Sequence, residues 1–201
     1  MTARDDILNT IRARKGAVLP RPAAYMRRVN GEAVEQFVAY ANAANATVDV
    51  LNDLTEVPEQ VARLLRERNL AAAVHSPESS ELGALAWRGV TVSSEAPGPD
   101  DTAVSIAAFG VAETGTLVYP SSAERPASWH FRPGFEIAVL HEGDVLGDLE
   151  SAFAKLRSNW PATINLVTGP SRTGDIEQTL ELGAHGPKAL AILLIRARSK
   201  G

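Results

Sequence analysis

An α/β fold on a mostly parallel sheet follows from three features of this 201-residue chain. Short apolar runs such as Ile164 to Val167 and Ala189 to Ile195, bounded by turn residues, read as buried strands. Between several such runs lie segments with apolar residues at helical spacing, so strands and helices alternate as in βαβ units. One close connection, Glu113-Thr114-Gly115, would also allow a hairpin, which makes a mixed sheet possible.

The elements follow in order. Asp5 to Arg14 reads as a narrowly apolar helix with Ile7, Leu8 and Ile11 on one side, and Gly16 to Pro22 as a linker. Asn30 caps a second helix carrying Val34, Phe37, Val38 and Ala41 at the i, i+3, i+4, i+7 spacing. Thr47 to Leu51 is a strand. Thr55 caps a helix with Val57, Val61, Leu64 and Leu65 inward and Arg63, Arg66 and Arg68 outward. Ala71 to Val74 is a strand, Glu78 to Trp87 a helix, and Val90 to Val92 a short strand. Ser94 to Asp101, rich in proline and acids, is a surface loop. Thr102 to Ala112 and Thr116 to Tyr119 are strands joined at the Glu113 turn, and Pro120 to Pro133 is irregular. That segment holds Arg125, Trp129, His130 and Arg132. Glu136 to Leu140 is a strand and Asp144 to Arg157 a helix, with Thr163 to Val167 and Ala189 to Ile195 as the last strands. Residues 1–45 are thus expected to be an N-terminal helical extension and residues 46–201 an α/β domain.

Composition narrows the function classes. The hydrophobic fraction of 45% suits a globular core, and a net charge of −4 argues against general affinity for nucleic acid or anionic membrane. With no cysteine, this chain has no disulfide, no thiolate nucleophile and no cysteine-held zinc or iron–sulfur centre. Met1 to Lys15 has no apolar core of a secretory signal, and no run approaches membrane-spanning length, so a cytoplasmic location is expected.

The candidate site lies in two turns. After Val167 the chain runs Thr168-Gly169-Pro170-Ser171-Arg172-Thr173-Gly174-Asp175, which reads as a strand delivering a loop to a helix start. Such a loop offers backbone N–H groups, the Arg172 fork and the Ser171 and Thr173 hydroxyls to an anion. Gly169 and Gly174 have P-loop spacing, but Asp175-Ile176 stand where lysine and a hydroxyl belong, so Walker-type nucleotide binding is unsupported. Gly183-Ala184-His185-Gly186-Pro187-Lys188 is the second turn, with His185 a proton donor or oxyanion partner beside Lys188. Glu113 is a carboxylate set between an apolar strand and a glycine turn, suited to a nucleophile or base. Each has a bland counterpart: a helix start that Thr173 caps with Asp175 in its first turn, a solvated Glu113, a surface His185. His75 and His141 end strands at the expected carboxyl edge of the sheet. No histidine pair has metal-site spacing, no G-x-S-x-G elbow supports a Ser171/Asp175/His185 triad, and Trp87, Trp129 and Trp160 read as packing residues.

The stretches 110–118 (GVAETGTLV), 168–177 (TGPSRTGDIE) and 183–188 (GAHGPK), in this order, resemble the LUD-domain family. The resemblance runs from about Thr47 onward. It implies a three-layer α/β/α sandwich of the NagB/RpiA/CoA-transferase-like type. It also implies a role in oxidising L-lactate to pyruvate beside iron–sulfur partner proteins, with no cofactor in this chain itself. On that resemblance the site falls on Glu113, Asp175 and His185 as proton-handling or catalytic groups. Thr114, Gly115, Thr116, Gly169, Ser171, Arg172 and Lys188 would hold a small carboxylate or phosphate, and no metal is implied. The first expectation is a subunit of an L-lactate dehydrogenase-type assembly. Two others stand beside it: a free-standing CoA-transferase-like or sugar-phosphate isomerase-like enzyme with Glu113 as nucleophile or base, and a non-catalytic assembly or regulatory subunit. Fold analogy is the weaker warrant for the enzyme alternatives.

Overall fold

The protein is described from a computed structural model, which covers residues 2–14, 20, 32–77, 80–122, 125–174, 180–182 and 186–196. The helix α1 (Ala3–Ala13) opens on a capping box between Thr2 and Asp5 and buries none of its residues. Helix α2 (Ala33–Ala43) buries Phe37 and Ala41 and leads into strand β1 (Thr47–Leu51). A 3-10 turn at Leu54–Glu56 then enters helix α3 (Val57–Glu67), with Pro58 in its first turn where no donor is needed. Strand β2 (Ala73–His75), the single turn α4 (Ser80–Gly83) and strand β3 (Thr91–Ser93) follow. Next come β4 (Thr102–Ile106), β5 (Phe109–Val111) and β6 (Thr116–Pro120), then a 3-10 turn at Ala127–His130. The chain continues through β7 (Phe135–His141), the two-residue β8 (Val145–Leu146), helix α5 (Leu149–Leu156) and β9 (Ile164–Val167). It closes with β10 (Arg172–Gly174), β11 (Leu180–Leu182) and β12 (Ala189–Ile195).

The strands form a six-stranded sheet in the order β1-β12-β7-β4-β2-β3, in which every pairing is parallel. A four-stranded mixed sheet, β8-β5-β6-β9, contains the β5–β6 hairpin that closes at Val111 and Thr116. The strongly apolar β7 and β12 sit at the centre of the large sheet, where both faces are covered. Side chains alternate between those faces. Ile137, Val139, Ala191, Leu193 and Ile195 pack with Val57, Val61, Leu64 and Leu65 of α3. Ala138, Leu140, Leu190, Ile192 and Leu194 pack with Phe37 and Ala41 of α2 and with Leu117 and Tyr119 of β6. The outer side of the small sheet, Val111 and Val118, packs on Ala152, Leu149 and Leu156 of α5. The layers are therefore α3, the parallel sheet, α2 with the small mixed sheet, and α5 outside it, an α/β fold in which helices cover a parallel sheet.

Several local expectations change. The single strand read over Thr102 to Ala112 is two strands in different sheets, because the chain leaves the large sheet after Ile106 to pair with β6. The helix expected from Asp144 begins at Leu149, where the Asp148 carboxylate accepts the Ser151 N–H (2.7 Å), while Val145 and Leu146 pair with β5 instead. The helix read over 78–87 is reduced to α4, and Glu78 lies outside the described residues. Asp53, not Thr55, supplies the capping carboxylate ahead of α3, accepting the Thr55 N–H (2.9 Å). The largest change concerns the stretch after Gly169. No helix starts at Thr173, since Arg172–Gly174 pairs antiparallel with Leu180–Leu182. Leu180 and Leu182 flank Glu181 at the two-residue period of a strand, and that local pattern prevails. The linker residues 16–19, 21 and 22 and the cap Asn30 lie outside the described residues, and α2 instead begins after Glu32 without a side-chain cap.

Candidate functional site

A cleft of about 440 Å³ opens beside the end of β9. Its wall is Leu166 to Ser171 on one side and Gly186 and Pro187 on the other, with Ala44, His130 and Phe131 completing it. The two turns singled out in the sequence meet here, since Ser171 N–H donates to Pro187 O (2.9 Å). They come from different sheets, β9 pairing with β6 and β12 lying between β1 and β7.

Glycines explain how the wall closes. Gly169 has φ +70°, and a Cβ there would lie 2.0 Å from Ala44 O. Gly115 has φ +66°, and a Cβ there would lie 2.3 Å from Ala41 N. Both positions need a left-handed backbone and a bare α-carbon against the last turn of α2. The two motif glycines thus serve to seat that helix. Thr116 Oγ1 lies 2.7 Å from both Thr114 Oγ1 and Thr168 Oγ1, so a chain of hydroxyls links the hairpin turn to the cleft wall.

The remaining candidates are dispersed. Glu113 Oε1 accepts the Leu149 N–H (3.3 Å), which puts its charge at the positive end of α5 and outside the residues lining the cleft. Lys188 Nζ donates to Asp100 Oδ1 (3.3 Å) in a separate hollow at the amino ends of β7 and β12. Asp175 and His185 lie outside the described residues, and of Arg172 only the strand backbone is described. His75 and His141 do end strands at the carboxyl edge. His75 Nδ1 is 2.8 Å from Glu95 O, and His141 Nε2 is 3.1 Å from Glu81 Oε2. His141 lines a second, largely apolar cavity of about 520 Å³ with Asn52, Asp53, Leu85 and Arg196. Trp87 and Trp129 are packing residues, Trp87 Nε1–H donating to Leu82 O (2.9 Å), while Trp160 is 60% exposed beside Phe153.

The sequence reading missed a buried polar cluster behind the cleft. Glu136, on central strand β7, is 0% exposed. Its Oε1 accepts the Ser105 hydroxyl (2.9 Å) and lies 2.7 Å from His130 Nδ1. Tyr119 stacks on the His130 ring with centroids 3.7 Å apart. Its hydroxyl faces Ser105 and Glu136 without closing a well-formed hydrogen bond, and burial together with the Glu136 charge holds its pKa well above the ordinary 10.0. Isolating a carboxylate in a sheet centre costs several kcal/mol unless partners offset it, and Ser105 and His130 are those partners. The 3-10 turn carrying His130 is tied to β9 by Asn165 Nδ2–H donating to Ala127 O (2.8 Å). The signal was present: one acid inside the otherwise apolar Phe135-Glu-Ile-Ala-Val-Leu140 demands a buried partner.

Among the described residues, no group of three or more histidine, aspartate or glutamate side chains is placed to hold a metal ion. No helix there is long and apolar enough to cross a membrane.

Comparison with known proteins adds to this geometry. Residues 99–195 match the LUD domain. An uncharacterized protein of Neisseria meningitidis serogroup B is 38% identical over 47% of this chain and 42% of its own length. Lactate utilization protein C of Geobacillus thermodenitrificans is 30% identical over 66% of this chain and 59% of its own length. The chain thus spans less than two thirds of either relative. A crystal structure of a DUF162 family protein from Deinococcus radiodurans shares the fold, with a TM-score of 0.60 at 19% identity over 81% of this chain and 96% of that one.

Proposed function

From the premise that this chain carries a LUD domain, we propose that it serves L-lactate oxidation, as a component that holds a small carboxylate in the cleft at 166–171 and 186–187. Relatives bearing the name lactate utilization protein C support the pathway assignment. The chain contains no cysteine, so electron transfer would fall to iron–sulfur partner proteins. The observation that carries the reading is the convergence of both motif turns on one cleft, joined from Ser171 N to Pro187 O (2.9 Å), with His130 in its wall. A cleft of about 440 Å³ admits a three-carbon acid with room for a partner group. Arg172, next to Ser171, is the cation we assign to the carboxylate, because its planar fork can engage both oxygens. Asp175 and His185, which lie outside the described residues, remain candidate proton carriers. The transferase and isomerase alternatives gain no support, since the Glu113 carboxylate already accepts the Leu149 N–H.

Calorimetric titration of L-lactate, pyruvate and phosphate tests the assignment. Arg172→Ala is expected to weaken carboxylate binding by about 1.5–3 kcal/mol, the range for a hydrogen bond to a charged group. Lys188→Ala, outside the cleft, is expected to leave it unchanged. Equal affinity in wild type and Arg172→Ala would refute the assigned cation, and absence of binding would refute the cleft as a carboxylate site.

A further inference from the structure

His130 is the one titratable side chain among the described residues lining the cleft, and it is also the residue joined to the buried Glu136. Glu136 Oε1 already accepts the Ser105 hydroxyl, so the group at Nδ1 faces an acceptor, and Nδ1 carries the ring proton. A neutral imidazole protonated at Nδ1 has a lone pair at Nε2 and no hydrogen to donate there. Nε2 has no hydrogen-bond partner among the described residues, and the stacked Tyr119 ring prevents the imidazole from tilting away.

We infer that His130, oriented by Glu136, makes the cleft selective for a 2-hydroxy acid over the corresponding 2-keto acid. A hydroxyl at C2 donates to the Nε2 lone pair. A keto oxygen at the same carbon presents a second lone pair and is repelled. The inference rests on the carboxylate-binding reading of the same cleft and adds the group that reads the neighbouring carbon. Glu136 is a positioning residue: it holds the tautomer and does not touch the ligand.

The test is calorimetric titration of L-lactate, pyruvate and propionate into the full chain. Lactate should bind roughly three- to tenfold more tightly than propionate, the value of one hydrogen bond, and pyruvate no better than propionate. In His130→Asn the side-chain amide can still donate to Glu136, but the Nε2 acceptor is gone. The lactate-over-propionate preference should then be lost. Lactate binding with no preference over propionate in wild type, a measurement that needs no variant, or a preference that survives in His130→Asn, overturns the inference and leaves the carboxylate cleft standing. Absence of binding by all three acids overturns the cleft reading and this inference with it.

Discussion

Gly169→Ala tests the claim that the cleft wall is shaped by a close approach of backbone to backbone. The substitution has two costs. Gly169 has φ +70°, and placing an L side chain in that left-handed region costs about 1–2 kcal/mol. The added Cβ would also stand 2.0 Å from the Ala44 carbonyl oxygen, a backbone atom that cannot swing aside. The end of α2 must shift, and overpacking of this kind adds about 1–3 kcal/mol. The expected loss is about 2–5 kcal/mol, which at roughly 2–4 °C per kcal/mol for a chain of this size lowers Tm by roughly 4–20 °C. Gly89→Ala is the internal control. Gly89 has φ +75° but nothing within 4 Å of a Cβ, so only the backbone cost of about 1–2 kcal/mol applies. Urea and thermal unfolding of both variants beside wild type supply the comparison. Equal losses at the two glycines would refute the close-approach argument.

Other outcomes follow from the same structure. Tyr119→Phe should leave stability near neutral pH within about 1 kcal/mol, because the hydroxyl it removes is buried without a well-formed partner. The Tyr119 pKa is raised in the folded protein, so the unfolded chain loses its proton first. Stability present below pH 10.0 should then fall by up to about 1.4 kcal/mol per pH unit above it, and the variant should lack that slope in alkaline denaturation. Glu136→Ala, which strands His130 and Ser105, should cost about 3–5 kcal/mol by urea unfolding. Glu113→Ala should cost only about 0.3–1 kcal/mol, the value of a carboxylate at a helix N-terminus, and leave lactate affinity unchanged in calorimetry. Phe37→Ala should cost about 3–5 kcal/mol because the ring is fully buried against the parallel sheet, whereas deletion of residues 1–14 should leave Tm unchanged, α1 burying nothing.

Short-range patterns in the chain were enough to determine its class and its central strands. The apolar runs over β12 and over β7, the latter broken by Glu136, favour a sheet covered on both faces, and the Glu113-Thr114-Gly115 turn announces its hairpin through the residue that must take positive φ. The motif turns at 168–171 and 186–188 were legible as a pair because glycine, proline and small polar residues punctuate apolar strands. What tertiary structure alone decided is which groups meet. Gly115 and Gly169 read as ligand-contacting residues, and only the fold shows that α2, far away in the chain, lies against both. Lys188 and the 169–171 turn look like partners in sequence, yet Lys188 turns to Asp100 while Pro187, one residue earlier, closes on Ser171. The Ser105–Glu136–His130–Tyr119 cluster joins three strands and a loop through one carboxylate, a contact no local period encodes. Propensity and periodicity act over a few residues. The cost of burying a charge is met across the whole fold, so its partners can be demanded from sequence and named only from structure.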